Sequence, residues 1–272
     1  QTRTTDPVPF AQELADNPYS GAWSSGGALN QAKIEMAGGG SQTAGIVAGG
    51  DTPPQTANTE LYNGSSWTET ANLNTARTLP MGAGSQTSFV AAGGYAGSGS
   101  PASETWDGSS WTEITEMNTV RWAGGSAGAD TESFIAFGGN PNTTVTETWN
   151  GSAWTEVSDM NLARHALAGS GSQTAAIGFG GNVSGPPYKS ETEVWNGSSW
   201  TEVSDLNTGR TDVGGAGSST AALAFGGTIT PPRTAKTESW DGSSWTEVAD
   251  LATDKASGAG QRGTSASNTS TL

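Results

Sequence analysis

His165 is the only histidine in the chain, and it directly follows Arg164. One repeat earlier the same two positions hold Arg121 and Trp122. An aromatic face beside a guanidinium and an imidazole can stack a sugar ring and anchor its hydroxyls. A local packing irregularity is the competing reading of the same residues. A histidine metal cluster would need a second imidazole, and a thiolate site would need cysteine, of which there is none. A Ser/His/Asp arrangement would have to use His165, and no nucleophile-elbow motif accompanies it. The expectation is a non-enzymatic chain with no catalytic residues, no metal and no cofactor. Its candidate ligand-binding residues are Arg121, Trp122, Arg164 and His165, together with Tyr95, Tyr188 and Arg233 in variable stretches of sequence.

These residues are placed by a repeat. Trp23, Trp67, Trp111, Trp154, Trp200 and Trp245 recur every 43 to 46 residues, and a cation stands ten residues after each: Lys33, Arg77, Arg121, Arg164, Arg210 and Lys255. Each unit reads as four short strands. Strand A is a Gly/Ala stretch such as MGAG; strand B is an apolar run closed by Gly-Gly, as in SFVAAGG ending at Gly94. After a variable loop come strand C (TETW in the third unit) and strand D (WTEV). An Asn-Gly or Asp-Gly pair joins C to D, and such pairs supply the positive φ angles of a tight hairpin. So much Gly, Ser and Thr is incompatible with helix interiors.

A four-stranded unit of ~40 residues, repeated, is the sequence form of a β-propeller. The complete units run 35–77, 78–121, 122–164, 165–210 and 211–255. Tyr19–Trp23 matches a C–D hairpin, and Ala256–Gly260 with Gly263–Ser267 match strands A and B. The expectation is an all-β, six-bladed propeller over 19–272, closed by strands from both termini, with residues 1–18 as an extended arm. A five-bladed ring is the alternative. If the C–D loop holds four residues, Trp106 faces Trp111 and Glu104 faces Glu113, and the repeated cation compensates the facing carboxylates. The same six cations, expected at the mouth of the central channel, are otherwise suited to a carboxylate or sulfate ligand.

Antiparallel alternation puts the D–A and B–C connections on one face. That face carries Trp122 and His165 beside the variable loops DTPPQTANT, YAGSGSPAS, NPNTTVT, NVSGPPYKSE and TITPPRTAK. Loops that vary on a rigid frame are where binding usually resides.

The double glycine closing strand B, the aromatic on C and the Trp on D resemble the kelch-repeat family over nearly all of Tyr19 to about Ala266. The aromatic usual on the family's strand C is Tyr, kept only at Tyr62; Trp106, Trp149, Trp195 and Trp240 stand elsewhere. The paired His ligands and Cys–Tyr cofactor of galactose oxidase, an enzyme of that type, cannot be made here. Asp107-Gly-Ser-Ser-Trp111 is similar to a sialidase Asp-box but lacks a residue between Asp and Gly, so hairpin chemistry explains it. Hairpin chemistry equally accounts for the glycosylation-like Asn63, Asn150 and Asn196.

The near-identical units also look like kelch-like propellers of marine bacteriophage. That resemblance implies a virion surface protein (decoration, fibre or tail-associated), at the virion surface or extracellular. Its partners would be other virion or surface proteins through the arm, and a host glycan on the loop face. A secreted lectin is the alternative, and a sialidase- or mutarotase-like enzyme the third reading. A net charge of −15 disfavours nucleic acid and anionic membranes, and no apolar run is long enough to insert.

Overall fold

The computed structural model describes residues 23–229 and 233–254. These form five four-stranded antiparallel sheets, each a simple meander. Blade 1 holds β1 (Ala37–Ser41), β2 (Ala44–Ala48), β3 (Thr59–Tyr62) and β4 (Trp67–Glu69). Blade 2 holds β5 (Met81–Ser85), β6 (Ser88–Ala92), β7 (Ser103–Trp106) and β8 (Trp111–Ile114). Blade 3 holds β9 (Gly125–Asp130), β10 (Ser133–Phe137), β11 (Thr146–Trp149) and β12 (Trp154–Val157). Blade 4 holds β13 (Ala168–Ser172), β14 (Ala175–Phe179), β15 (Thr192–Trp195) and β16 (Trp200–Val203). Blade 5 holds β17 (Gly214–Ser218), β18 (Ala221–Phe225), β19 (Thr237–Trp240) and β20 (Trp245–Val248).

The innermost strands of consecutive blades lie side by side, β1 to β5 to β9 to β13 to β17. Small residues are required there: a Cβ on Gly82 would stand 2.6 Å from the Ala37 Cβ and 2.7 Å from the Phe89 ring. Toward the rim the blades diverge, and indoles fill the space. Trp106, Trp149, Trp195 and Trp240 are essentially fully buried. Phe137 of blade 3 meets Trp200 of blade 4 at 4.7 Å, and Phe179 of blade 4 meets Trp245 of blade 5 at 4.9 Å. The apolar core is therefore shared between blades.

The expected register is present. Trp106 faces Trp111 and Glu104 faces Glu113, with the same register in every blade, Tyr62 taking the place of the first tryptophan opposite Trp67 in blade 1. The repeated cation answers the strand-C glutamate: Arg77–Glu104 3.1 Å, Arg121–Glu147 3.2 Å, Arg164–Glu193 3.2 Å, Arg210–Glu238 2.9 Å and Lys33–Glu60 3.6 Å. Each glutamate also grips the connection from the preceding blade. Glu104 Oε2 accepts from Asn74 N at 2.7 Å and Asn74 Nδ2 at 2.8 Å. Asn118, Asn161 and Asn207 repeat that bond to Glu147, Glu193 and Glu238.

Three expectations need correction. Among the described residues the ring has five blades, not six. Trp23, expected to open a D strand, belongs to no strand; its Nε1 donates to Ala249 O at 3.0 Å, and its ring meets Phe225 of blade 5 at 5.4 Å. The other segments assigned to a sixth blade, 19–22 and 256–267, lie outside the described residues, as does the arm 1–18. In sequence the assigned B strand, GTSASN, has no side chain larger than Ser, Thr or Asn and no Gly-Gly, so it has little apolar surface with which to hold a wedge.

The C–D hairpins take positive φ only at glycine (Gly64, Gly108, Gly151, Gly197, Gly242) and not at the preceding Asn or Asp. That residue acts through its side chain instead. Asp107 Oδ1 accepts from Ser109 N and Ser110 N, each at 2.8 Å, closing an Asx turn that a four-residue loop accommodates.

The Gly-Gly pair lies just past strand B rather than in it. Gly93 and Gly94 have φ of 64° and 117°, and Gly94 N donates to Arg121 O of the next blade at 3.1 Å. A Cβ on Gly93 would lie 2.5 Å from that oxygen, so the double glycine is an inter-blade contact.

Candidate binding face

The residue after each cation and the residue after each Gly-Gly exchange backbone hydrogen bonds, making one short rung per blade. Thr78 N donates to Tyr95 O at 3.0 Å, and Tyr95 N to Thr78 O at 2.8 Å. Trp122 and Asn140 pair at 3.3 and 2.7 Å, and His165 and Asn182 at 3.0 and 2.8 Å. Ile34 with Asp51 and Thr211 with Thr228 complete the set. The D–A connections and the variable loops therefore share one face, as strand alternation requires.

Side chains on this face link adjacent blades. Tyr95, on the loop of blade 2, meets Trp122, at the entry to blade 3, with ring centroids 5.4 Å apart at 61°. Both rings are half-buried. Gly99 lies so close to the indole that a Cβ there would stand 2.6 Å from Trp122 Cζ3 and 2.8 Å from Val120 Cγ1. Val120 is 45% exposed and, with Ile34, stands out as a large apolar side chain facing solvent.

Asn142, on the loop of blade 3, reaches His165 at the entry to blade 4. Its Oδ1 lies 2.5 Å from His165 Nδ1, while its Nδ2 donates to Val183 O. With the amide nitrogen committed to a carbonyl, Oδ1 faces the imidazole, so Nδ1 carries the proton of that bond.

The arginines chosen with these residues lie elsewhere. Arg121 is fully buried, with Nη1 donating to Val145 O at 2.5 Å and Nη2 to Ala136 O at 3.1 Å, beside Glu147. Arg164 is equally buried and donates to Gly180 O at 3.1 Å, to Gly178 O at 3.3 Å and to Glu191 O. Desolvation lowers both guanidinium pKa values, that of Arg121 to about 10, against the opposing attraction of their glutamates. These groups brace the blades from inside and do not reach the Trp122 ring or the His165 imidazole side by side on the surface.

Tyr188 is half-buried on the blade 4 loop, and Arg233 is exposed on the blade 5 loop, bridged to Thr228. Among the described residues neither makes a ring contact with the Tyr95–Trp122 pair. The structure thus joins two of the seven candidates directly, Tyr95 to Trp122, and places His165 beside them through the Asn140–Asn142 loop.

Gly99, Val120 and Asn142 belong to this surface but escaped a reading by residue type. Their signal is weak: a glycine in a Gly/Ser loop, a valine where its counterparts are Ala76 and Ala163, and an Asn-Pro-Asn run. Among the described residues no group of three or more His, Asp or Glu is placed to hold a metal ion. Compared with models of known protein families the chain matches none, and a search of curated proteins returns no match.

Proposed function

We propose that this propeller is a non-enzymatic display and binding module that meets its partner through the B–C loop face. The observation that carries the reading is the contrast across that face. Five equivalent rungs, built on the same backbone pairing, carry loops that differ in length and composition. A frame held constant under diverging loops is the arrangement of a binding scaffold.

The finer reading is a virion surface component of kelch-like type, attached to the particle through residues 1–18 and presenting the loops outward. The Gly-Gly…Trp repeats and their likeness to phage propellers support it. Detection of the chain in purified virus particles, followed by deletion of residues 1–18, tests it. The full chain is expected to co-purify with particles and the truncated chain to be lost from them. A chain found only free of particles, or retained equally without the arm, overturns the virion assignment. A secreted lectin is the second reading, favoured by the Tyr95–Trp122 pair; it would bind sugars without any particle.

A further inference from the structure

The chain has eleven tryptophans, and among the described residues nine of them donate their indole N–H to a backbone or threonine oxygen at 2.9 to 3.1 Å, leaving Trp122 and the repeat tryptophan Trp67. Those nine are architectural: they repeat, and their polar atom is consumed by the fold. Trp122 is different on both counts. It occupies a position held by Ile34, Thr78, His165 and Thr211 in the other blades, and among the described residues nothing accepts from its indole N–H. The Tyr95 hydroxyl is likewise without a partner among the described residues.

Two half-buried rings whose donors have no acceptor among the described residues, edged by Val120, form an apolar surface with polar rims on the loop face. A stable protein–protein contact buries roughly 1,200 Å² or more in total, which is far beyond two rings and a valine. A single pyranose matches the patch: its C–H face stacks on indole, and its hydroxyls accept from N–H and O–H groups at the ring edges.

The charge selects among sugars. Arg77 and Arg121, the cations of the two blades that meet here, are wholly buried against Glu104 and Glu147. With a chain charge of −15, the face offers an anionic sugar no compensation from these two groups. We propose that the Tyr95–Trp122 platform binds a neutral pyranose of a glycan, stacked on the Trp122 indole and hydrogen-bonded by Trp122 Nε1 and Tyr95 Oη. This rests on the loop face being the binding face, but not on any attachment to a particle.

Indole N–H resonances of the full ¹⁵N-labelled chain provide the test, with the Trp122 signal assigned as the one lost in Trp122→Phe. The probes are methyl glycosides of glucose, galactose, mannose and N-acetylglucosamine, with sialyllactose as the acidic comparison. At least one neutral glycoside is expected to shift the Trp122 signal. Tyr95→Phe, which removes only a hydroxyl, is expected to weaken that binding about threefold to tenfold, the equilibrium equivalent of one modest hydrogen bond. Trp122→Ala, which removes that reporter, is read by titration calorimetry with the same glycoside and is expected to abolish binding, with the remaining indole signals confirming an intact fold.

Failure of every neutral glycoside to shift the signal overturns the proposal. So does a response to sialyllactose alone, or binding that survives Trp122→Ala. Because the particle experiment uses the arm and this one the loops, either can fail while the other stands.

Discussion

Trp23 and Ala249 are 226 residues apart in sequence and share a hydrogen bond of 3.0 Å from the indole N–H to the carbonyl oxygen. Trp23 stands to Phe225 of blade 5 as Trp200 stands to Phe137 and Trp245 to Phe179. A few residues on, Asn30 N donates to Glu60 of blade 1 at 2.7 Å, the bond Asn74 makes to Glu104. The segment entering the first blade therefore ties the last blade to the first without forming a strand.

Trp23→Ala removes both the ring contact and the hydrogen bond of this tie. Urea denaturation is expected to show a loss of about 2–3 kcal/mol, less than the ~3–5 kcal/mol of a fully buried tryptophan because Trp23 is half-exposed. Trp23→Phe keeps an aromatic ring and is expected to lose about 1 kcal/mol, the net contribution of one hydrogen bond. Unchanged stability in Trp23→Ala would show that the tie contributes nothing.

Arg164→Ala leaves the Glu193 carboxylate buried without its cation and frees three carbonyl oxygens. The expected cost is about 3–5 kcal/mol, well above the ~0.5 kcal/mol of a surface change. In the cycle with Glu193→Gln the two single costs should not add, since both break one pair. Additive losses would mean that the pair is not coupled.

Lys33 takes the place that arginine fills in the other described blades, and its pKa is lowered to about 8, chiefly by desolvation, against the attraction of Glu60. Its folded-state value lies below its ordinary value of 10.5. Between about pH 8 and 10.5 the unfolded chain holds more protons at this site, so the Lys33 contribution to stability rises with pH across that window. Denaturant midpoints of wild type relative to Lys33→Met, followed from pH 7 to 11, are expected to diverge in favour of wild type as pH increases. A flat difference would refute the assignment.

Asp107 and Asp241 have carboxyl groups held down at about 2, first by the Ser109 and Ser243 hydroxyls and then by the backbone N–H groups of their turns. A depressed folded value stabilises above the ordinary carboxylate range and is lost as pH falls from 3.8 through about 2. Asn63, Asn150 and Asn196 make the same turn without a charge. Asp107→Asn is thus expected to leave the melting midpoint unchanged at pH 7 while flattening its decline between pH 4 and 2. A large loss at pH 7 would show that the charge itself is needed.

The amino-acid sequence alone determined the repeat, its four strands, the facing tryptophans and glutamates, and the cation that answers them. Each of these follows from local periodicity or from residues that recur at a constant offset. The aromatic choice at Trp122 was legible because it breaks that recurrence.

Tertiary structure decided what recurrence cannot carry. Leu79 N donates to Glu35 O, Ala123 N to Leu79 O, Ala166 N to Ala123 O and Asp212 N to Ala166 O, at 2.7 to 3.0 Å, linking the blades around the hub. All five residues are held at φ of 53° to 58°. Glu, Leu, Ala and Asp have no common preference for that left-handed conformation, so only the mutual approach of the blades imposes it.

The number of blades and the inward turn of Arg121 and Arg164 were settled in the same way. A guanidinium next to Trp122 in sequence points wherever a buried carboxylate and unsatisfied carbonyls hold it. In this fold those lie inside the blade, leaving the aromatic pair on the surface with its own N–H and O–H groups.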